Sequence, residues 1–120
     1  MNMNTLDKNI KKEIRLVNSA LKSDFNKEKI KSYLSPIVFS IAESFLDKYI
    51  KKEELILSKE EKNDVLKEVW KYLNFALNKY DKKTKKMLSH EIEAFSFSEY
   101  FAWFVKQSLL EYLQKNYISK

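Results

Sequence analysis

Residues 96–117 read SFSEYFAWFVKQSLLEYLQKNY, and the fold turns on them. Ser96-Phe97-Ser98-Glu99 matches a capping box, in which a serine hydroxyl and a carboxylate three residues on satisfy orphan N–H groups at a helix start. Behind it Phe97, Phe101, Phe104, Val105, Leu109, Tyr112 and Leu113 recur at helical spacing, which predicts a final helix to about Tyr117. At 100° per residue a second set, Trp103, Leu110 and Tyr117, falls within about 40° on another face. A helix with more apolar circumference than one neighbour covers either lies between two neighbours or offers its spare face to a partner.

Working back from this segment, Ser58-Lys59-Glu60-Glu61 is another capping box. It predicts a helix to about Tyr80, with Val65, Leu66, Val69, Leu73, Ala76, Leu77 and Tyr80 inward and Trp70 at the margin. Tyr72 and Phe75 fall off that stripe. Lys79, Lys82, Lys83, Lys85 and Lys86 then read as a solvated turn before a short helix from about Lys83 to Ala94, suggested by Met87, Leu88, Ile92 and Phe95.

Nearer the N-terminus, Leu6, Ile10, Ile14, Val17 and Leu21 share one stripe, predicting a helix from about Thr5, its N-cap, to Leu21. A second segment runs from Asp24 or Asn26 to Leu34. Ser35-Pro36 then either starts a new helix or bends one long helix. From Pro36 to Ile50 there are two apolar faces: Ile37, Val38, Ile41, Phe45 and Tyr49 on one, Phe39, Leu46 and Ile50 on the other. Such a helix belongs in the middle of a bundle. Residues 1–120 are therefore expected to form a single all-α domain. Its architecture is read as a compact bundle of five to six helices, mostly antiparallel up-and-down, around a central two-faced helix.

Composition narrows the chemistry. A chain of 120 residues can bury roughly two-thirds of its unfolded surface, enough for a core without staples. With no Cys there is no disulfide, thiolate zinc site or cysteine nucleophile. With no Gly there is no phosphate-cradling P-loop and no Gly-rich dinucleotide turn. The longest apolar run, Tyr100–Val105, has six residues, whereas a membrane span needs about 20. The first 25 residues hold no apolar signal core, so a cytoplasmic location is expected.

His90 lies three residues before Glu93, but neither a repeated Glu-x-x-His pattern nor a pair of histidines one turn apart is present. No metal and no cofactor are expected. Glu53-Glu54 and Glu60-Glu61 are adjacent pairs that do not face one another on a helix, and Ser40 and Ser44 lack a base. No enzyme activity is expected either.

Three functional readings follow. Phe, Tyr, Met, Ile, Asn and Lys make up 58 residues, while Gly, Ala, Arg and Pro make up 7, the pattern of an AT-rich gene. With the aromatic surplus this favours a small protein-binding module that occludes a partner protein, as an immunity protein, antitoxin or phage-type inhibitor would. Its anchors would be Trp103, Leu110 and Tyr117, flanked by Tyr100, Gln107 and Gln114. The alternative is a nucleic-acid-associated regulator in which Lys11, Lys12, Lys82, Lys83, Lys85 and Lys86 touch phosphates. The net charge of +6 permits that, but it is spread along the chain, and a single arginine, Arg15, disfavours base readout. The third is a homodimer seam along the second aromatic stripe.

Overall fold

The computed structural model describes residues 7–118. Its helices are α1 (Lys8–Ala20), α2 (Asp24–Lys52), α3 (Lys59–Leu66), α4 (Leu73–Leu88) and α5 (Phe97–Leu113), with no strand among the described residues. Four of these, with 13, 29, 16 and 17 residues, build the bundle, and α3 is a short segment of 8. The long helices are thus fewer than the five to six expected.

Three sequence features shift the helix boundaries, and two of them lower the count. Pro36 lies inside α2 and does not divide it. It is exposed, as is Ser32, whose carbonyl loses its helical partner, so water can satisfy that group. Ser35 is no cap; its hydroxyl donates to the Lys31 carbonyl at 2.7 Å. The row Ile30, Leu34, Val38, Ala42 and Leu46 runs buried past the proline without a break. The flanks of α2 are half-buried: Phe39 meets Trp70 edge-on at 6.1 Å, and Phe45 stacks on Tyr49 at 6.0 Å. Ile37, assigned to one apolar face, is exposed instead. At 1.5 Å per residue α2 is about 44 Å long, which sets the long axis of a molecule measuring 51 × 29 × 23 Å.

The helix expected over Ser58–Tyr80 is broken. A 3₁₀ turn, Lys67–Trp70, closes α3, and α4 starts at Leu73. The break lets α3 pack on α2 and α5 while α4 packs on α1 and α5. Trp70, at the bend, stacks on Phe101 at 6.0 Å. Conversely, the lysine cluster is not a turn. α4 continues through it to Leu88, because Leu73, Leu77, Tyr80, Thr84 and Met87 keep one stripe buried. Lysines in the last turns also suit the negative end of the helix dipole. No separate helix covers Lys83 to Ala94.

α1 and α2 form an antiparallel hairpin, in which Asn26 donates to the Ser19 carbonyl and Tyr33 reaches Glu13. α4 and α5 form a second, pairing Tyr80 with Phe97 and Tyr72 with Glu111. One continuous core joins them, from Ile14 to Leu113. α1 is capped by Asp7, whose carboxylate accepts from the Asn9 N–H at 2.7 Å; the predicted cap, Thr5, lies outside the described residues.

The two capping boxes differ. At α3 both halves form: Glu61 N–H donates to Ser58 Oγ at 3.0 Å and Ser58 N–H to Glu61 Oε1 at 2.9 Å. The Ser58 N–H holds the Glu61 carboxyl below its ordinary range. At α5 only the Ser96 half forms, Glu99 N–H donating to its hydroxyl at 3.1 Å. The next orphan, Ser98 N–H, goes to the carboxylate of Glu13 on α1 at 2.7 Å. Glu13 is 2% exposed and also accepts from Ser98 Oγ and Tyr33 Oη, each at 3.0 Å. This buried carboxylate joins three helices.

A chain without glycine must end its helices another way. After α2, Glu54 takes φ 54°, with Leu55 N–H donating to the Ile50 carbonyl and Glu54 N–H to that of Lys51. After α4, His90 takes φ 63°, and Glu91 N–H and His90 N–H return to Lys86 and Met87. Both are left-handed helix stops, where a Cβ is unfavourable by about 1 kcal/mol. Glu54→Gly and His90→Gly should each therefore stabilise the fold by about 0.5–1 kcal/mol, after the extra chain entropy of glycine is subtracted. Denaturant midpoints that fall in both variants would contradict this.

Candidate functional site

The most exposed aromatic side chains that adjoin one another lie where α4 meets α5. Trp103 is 59% exposed and Phe75 52%. Both stand edge-on to Phe104, with ring centroids at 5.1 Å and 5.7 Å. Phe104 is itself nearly buried and floors a groove of about 200 Å³ walled by Tyr72, Phe75, Trp103, Gln107 and Glu111. Phe75 departs from the stripe that carries Ala76, Leu77 and Tyr80 inward, and Trp103 departs from that of Phe101, Phe104 and Val105. The helices pack through those stripes, so the two off-stripe rings meet outside the seam.

One end of the groove is polar. Glu111 accepts from Tyr72 Oη at 2.5 Å and from Lys71 Nζ at 3.1 Å. The tyrosine bond, then the lysine, hold its carboxyl below the ordinary 4.5, and burial opposes them. Glu111 in turn raises Lys71 and Tyr72 above their usual values. The sign follows from linkage: a carboxyl depressed in the folded state stabilises it above the unfolded value and loses that contribution as pH falls through the folded one. Glu111→Gln should therefore melt below wild type at neutral pH, and the gap should close below pH 4.5. Melting curves with a constant gap down to acid unfolding would refute the assignment.

The three residues of the second stripe and the three that flank it do not stay together. Trp103 and Gln107 line the groove. Tyr100 is half-buried and turns into the aromatic cluster, 5.9 Å from Tyr80 and 5.6 Å from Phe95. Leu110 is half-buried and Gln114 is exposed, and neither lines the groove. Past Leu113 the chain widens into a π turn, Gln114–Ile118, which winds fewer degrees per residue than an α-helix. Tyr117 therefore leaves the phase of Trp103 and packs against the core.

The lysines of the alternative reading also separate. Lys82, Lys85 and Lys86 are exposed on α4, with Lys83 half-buried beside them. Lys12 lies 4.9 Å above the Tyr33 ring at the α1–α2 seam, and Lys11 is half-buried on α1. His90 is exposed at its left-handed stop. Among the described residues no group of three or more His, Cys, Asp or Glu could hold a metal, and no helix is long and apolar enough to cross a membrane.

Two further concavities are more polar. One of about 430 Å³ lies over Glu13, Tyr33 and Ser98 at the start of α5. Another of about 350 Å³ holds Ser40, Ser44, Lys48 and Lys106 between α2 and α5. In the first the Ser98 hydroxyl donates to the Glu13 carboxylate, and the second is lined by no carboxylate or imidazole. Phe75 and Tyr72 were signalled by their off-stripe positions; Glu111 and Lys71 carried no signal, since each reads as an ordinary solvated charge. Comparison with known proteins finds no significant match, whether to a family model, a curated protein or a solved structure.

Proposed function

We propose that this chain is a non-enzymatic protein-binding module that covers a surface of its partner, with the α4–α5 groove as the docking site. The observation that supports this reading is the pair of solvent-facing rings, Trp103 and Phe75, set on a buried Phe104. Aromatic anchors of this kind dominate binding energies when a partner desolvates them. Phe104 lies in the core, so the anchors stand on a rigid base and lose little entropy on docking. A residue bias toward AT-rich codons favours a module of the immunity-protein, antitoxin or phage-type-inhibitor kind. Such a protein acts by occlusion and needs no catalytic group.

Trp103→Ala with Phe75→Ala should leave stability within about 1 kcal/mol, because exposed side chains add little to folding. The same pair should weaken partner binding at least about tenfold. The check is affinity capture from the native host with nuclease present, comparing wild type with the double variant. A protein retained by wild type and lost by the folded variant is the expected result. An unfolded variant, or an unchanged set of captured proteins, would count against the reading.

A further inference from the structure

We infer that the partner surface is acidic: an apolar side chain enters the Trp103–Phe75 groove and carboxylates beyond it meet Lys79, Lys82 and Lys86. This rests on the groove being the docking site. On α4, at 100° per residue, Phe75, Lys79, Lys82 and Lys86 fall within an arc of about 60°. The row spans about 16 Å along the helix, and all four residues are exposed. Among the described residues none of the three lysines forms an ion pair; those present engage Lys27, Lys31, Lys67 and Lys71. The nearest acid in sequence, Asp81, lies about 100° or more from the row and is half-buried.

The other flank is basic as well. Lys106, one turn after Trp103, shares a concavity with Lys48 of α2. On α5 the acids are Glu111, engaged by Lys71 and Tyr72, and Glu99, one turn before Trp103; past the end of α4, Glu91, whose N–H returns to the Lys86 carbonyl, accepts from Ser89 Oγ. An apolar slot collared by unpaired lysines is complementary to an apolar anchor flanked by Asp or Glu.

A second copy fits poorly, because an isologous contact sets the same basic patch against itself. A nucleic acid fits poorly too. Lys79 Nζ lies 5.4 Å from the Phe75 ring centroid, over the face on which a base would stack, and the Glu111 carboxylate closes one end of the groove.

The test selects a displayed random-peptide library on the full chain and measures binding of the enriched peptides by the anisotropy of a fluorescent label carried on the peptide. The enriched peptides should carry an aliphatic or aromatic anchor with two or more Asp or Glu to one side. They should lose affinity at least about tenfold to K79E/K82E/K86E and weaken as salt rises. The milder K79Q/K82Q/K86Q removes the charge if reversal disturbs the end of α4, and should show the same loss in smaller measure. Enriched peptides that need Trp103 but lack an acidic excess overturn the charge assignment and leave the docking site standing. Peptides indifferent to Trp103→Ala with Phe75→Ala, or a selection with no Trp103-dependent binder, overturn both. Single-stranded oligothymidylate bound more tightly than every selected peptide overturns the acidic-protein assignment in favour of nucleic acid.

Discussion

Glu13→Ala should destabilise the protein by about 3 kcal/mol. The carboxylate is buried and accepts three hydrogen bonds, from Ser98 N–H, Ser98 Oγ and Tyr33 Oη. Alanine leaves the Ser98 N–H without a partner at the positive end of α5, where a carboxylate is favoured, and strands two hydroxyls near it. Bonds to a carboxylate are each worth roughly 1.5–3 kcal/mol, but neighbours sharing one acceptor do not add. Glu13→Gln should lose less, about 1–2 kcal/mol, since its carbonyl still accepts one of the three. Glu99→Ala is the control: its side chain is exposed and does not complete the capping box, so the loss should stay within about 0.5 kcal/mol. Urea titrations of the three variants make the check. Similar values for Glu13→Ala and Glu99→Ala would show that the carboxylate is not the joint between α1 and α5.

The largest loss should come from Tyr80→Ala, about 4 kcal/mol. Tyr80 is fully buried, with ring centroids 5.5 Å from Phe95, 5.2 Å from Phe97 and 5.9 Å from Tyr100. Its hydroxyl donates to the Phe95 carbonyl at 2.7 Å, tying the segment after α4 to the helix it leaves. Burial, then the charges of Glu13 and Glu99, push its ionisation above the ordinary value. Tyr80→Phe keeps the packing and loses only the donor, so about 1 kcal/mol is expected. Calorimetric melting of both variants separates the two contributions. Equal losses would mean that the hydrogen bond, and not the ring, holds the cluster. Domains of this size are stable by only about 5–15 kcal/mol, so either truncation removes a large share.

What could be read without coordinates was the periodic part. The stripes of α1, α4 and α5 and the serine caps at Ser58 and Ser96 are local features, and local spacing reports them. The misreadings have non-local causes. The break at Lys67–Trp70 is invisible because Val65, Val69 and Leu73 keep helical spacing across it, and neither Gly nor Pro marks it. Local sequence left Pro36 either opening a helix behind its serine neighbour or lying within one; an exposed proline on a long packed helix is tolerated, and the second holds. The ends of α2 and α4 fall at Glu54 and His90, residues that seldom mark a left-handed stop. Glu13 reads as one more solvated acid until Ser98, 85 positions later, is brought beside it.

At the groove, Trp103 and Gln107 followed from helical phase, and the π turn removed Tyr117 from the same face. Phe75 announced itself only as a ring out of line. Its pairing with Trp103 across Phe104 depends on how α4 and α5 cross, which no spacing rule supplies.

The bond between residues 13 and 98 also has a temporal side. Translation delivers the acceptor first, and more than eighty residues must leave the ribosome before its donor exists. A nascent chain can assemble the α1–α2 hairpin early, but its Glu13 carboxylate then has Tyr33 alone as donor until α5 is synthesised. The final locking of the bundle is thus postponed until α5 has been made, and a chain truncated before Ser98 has no means of reaching it.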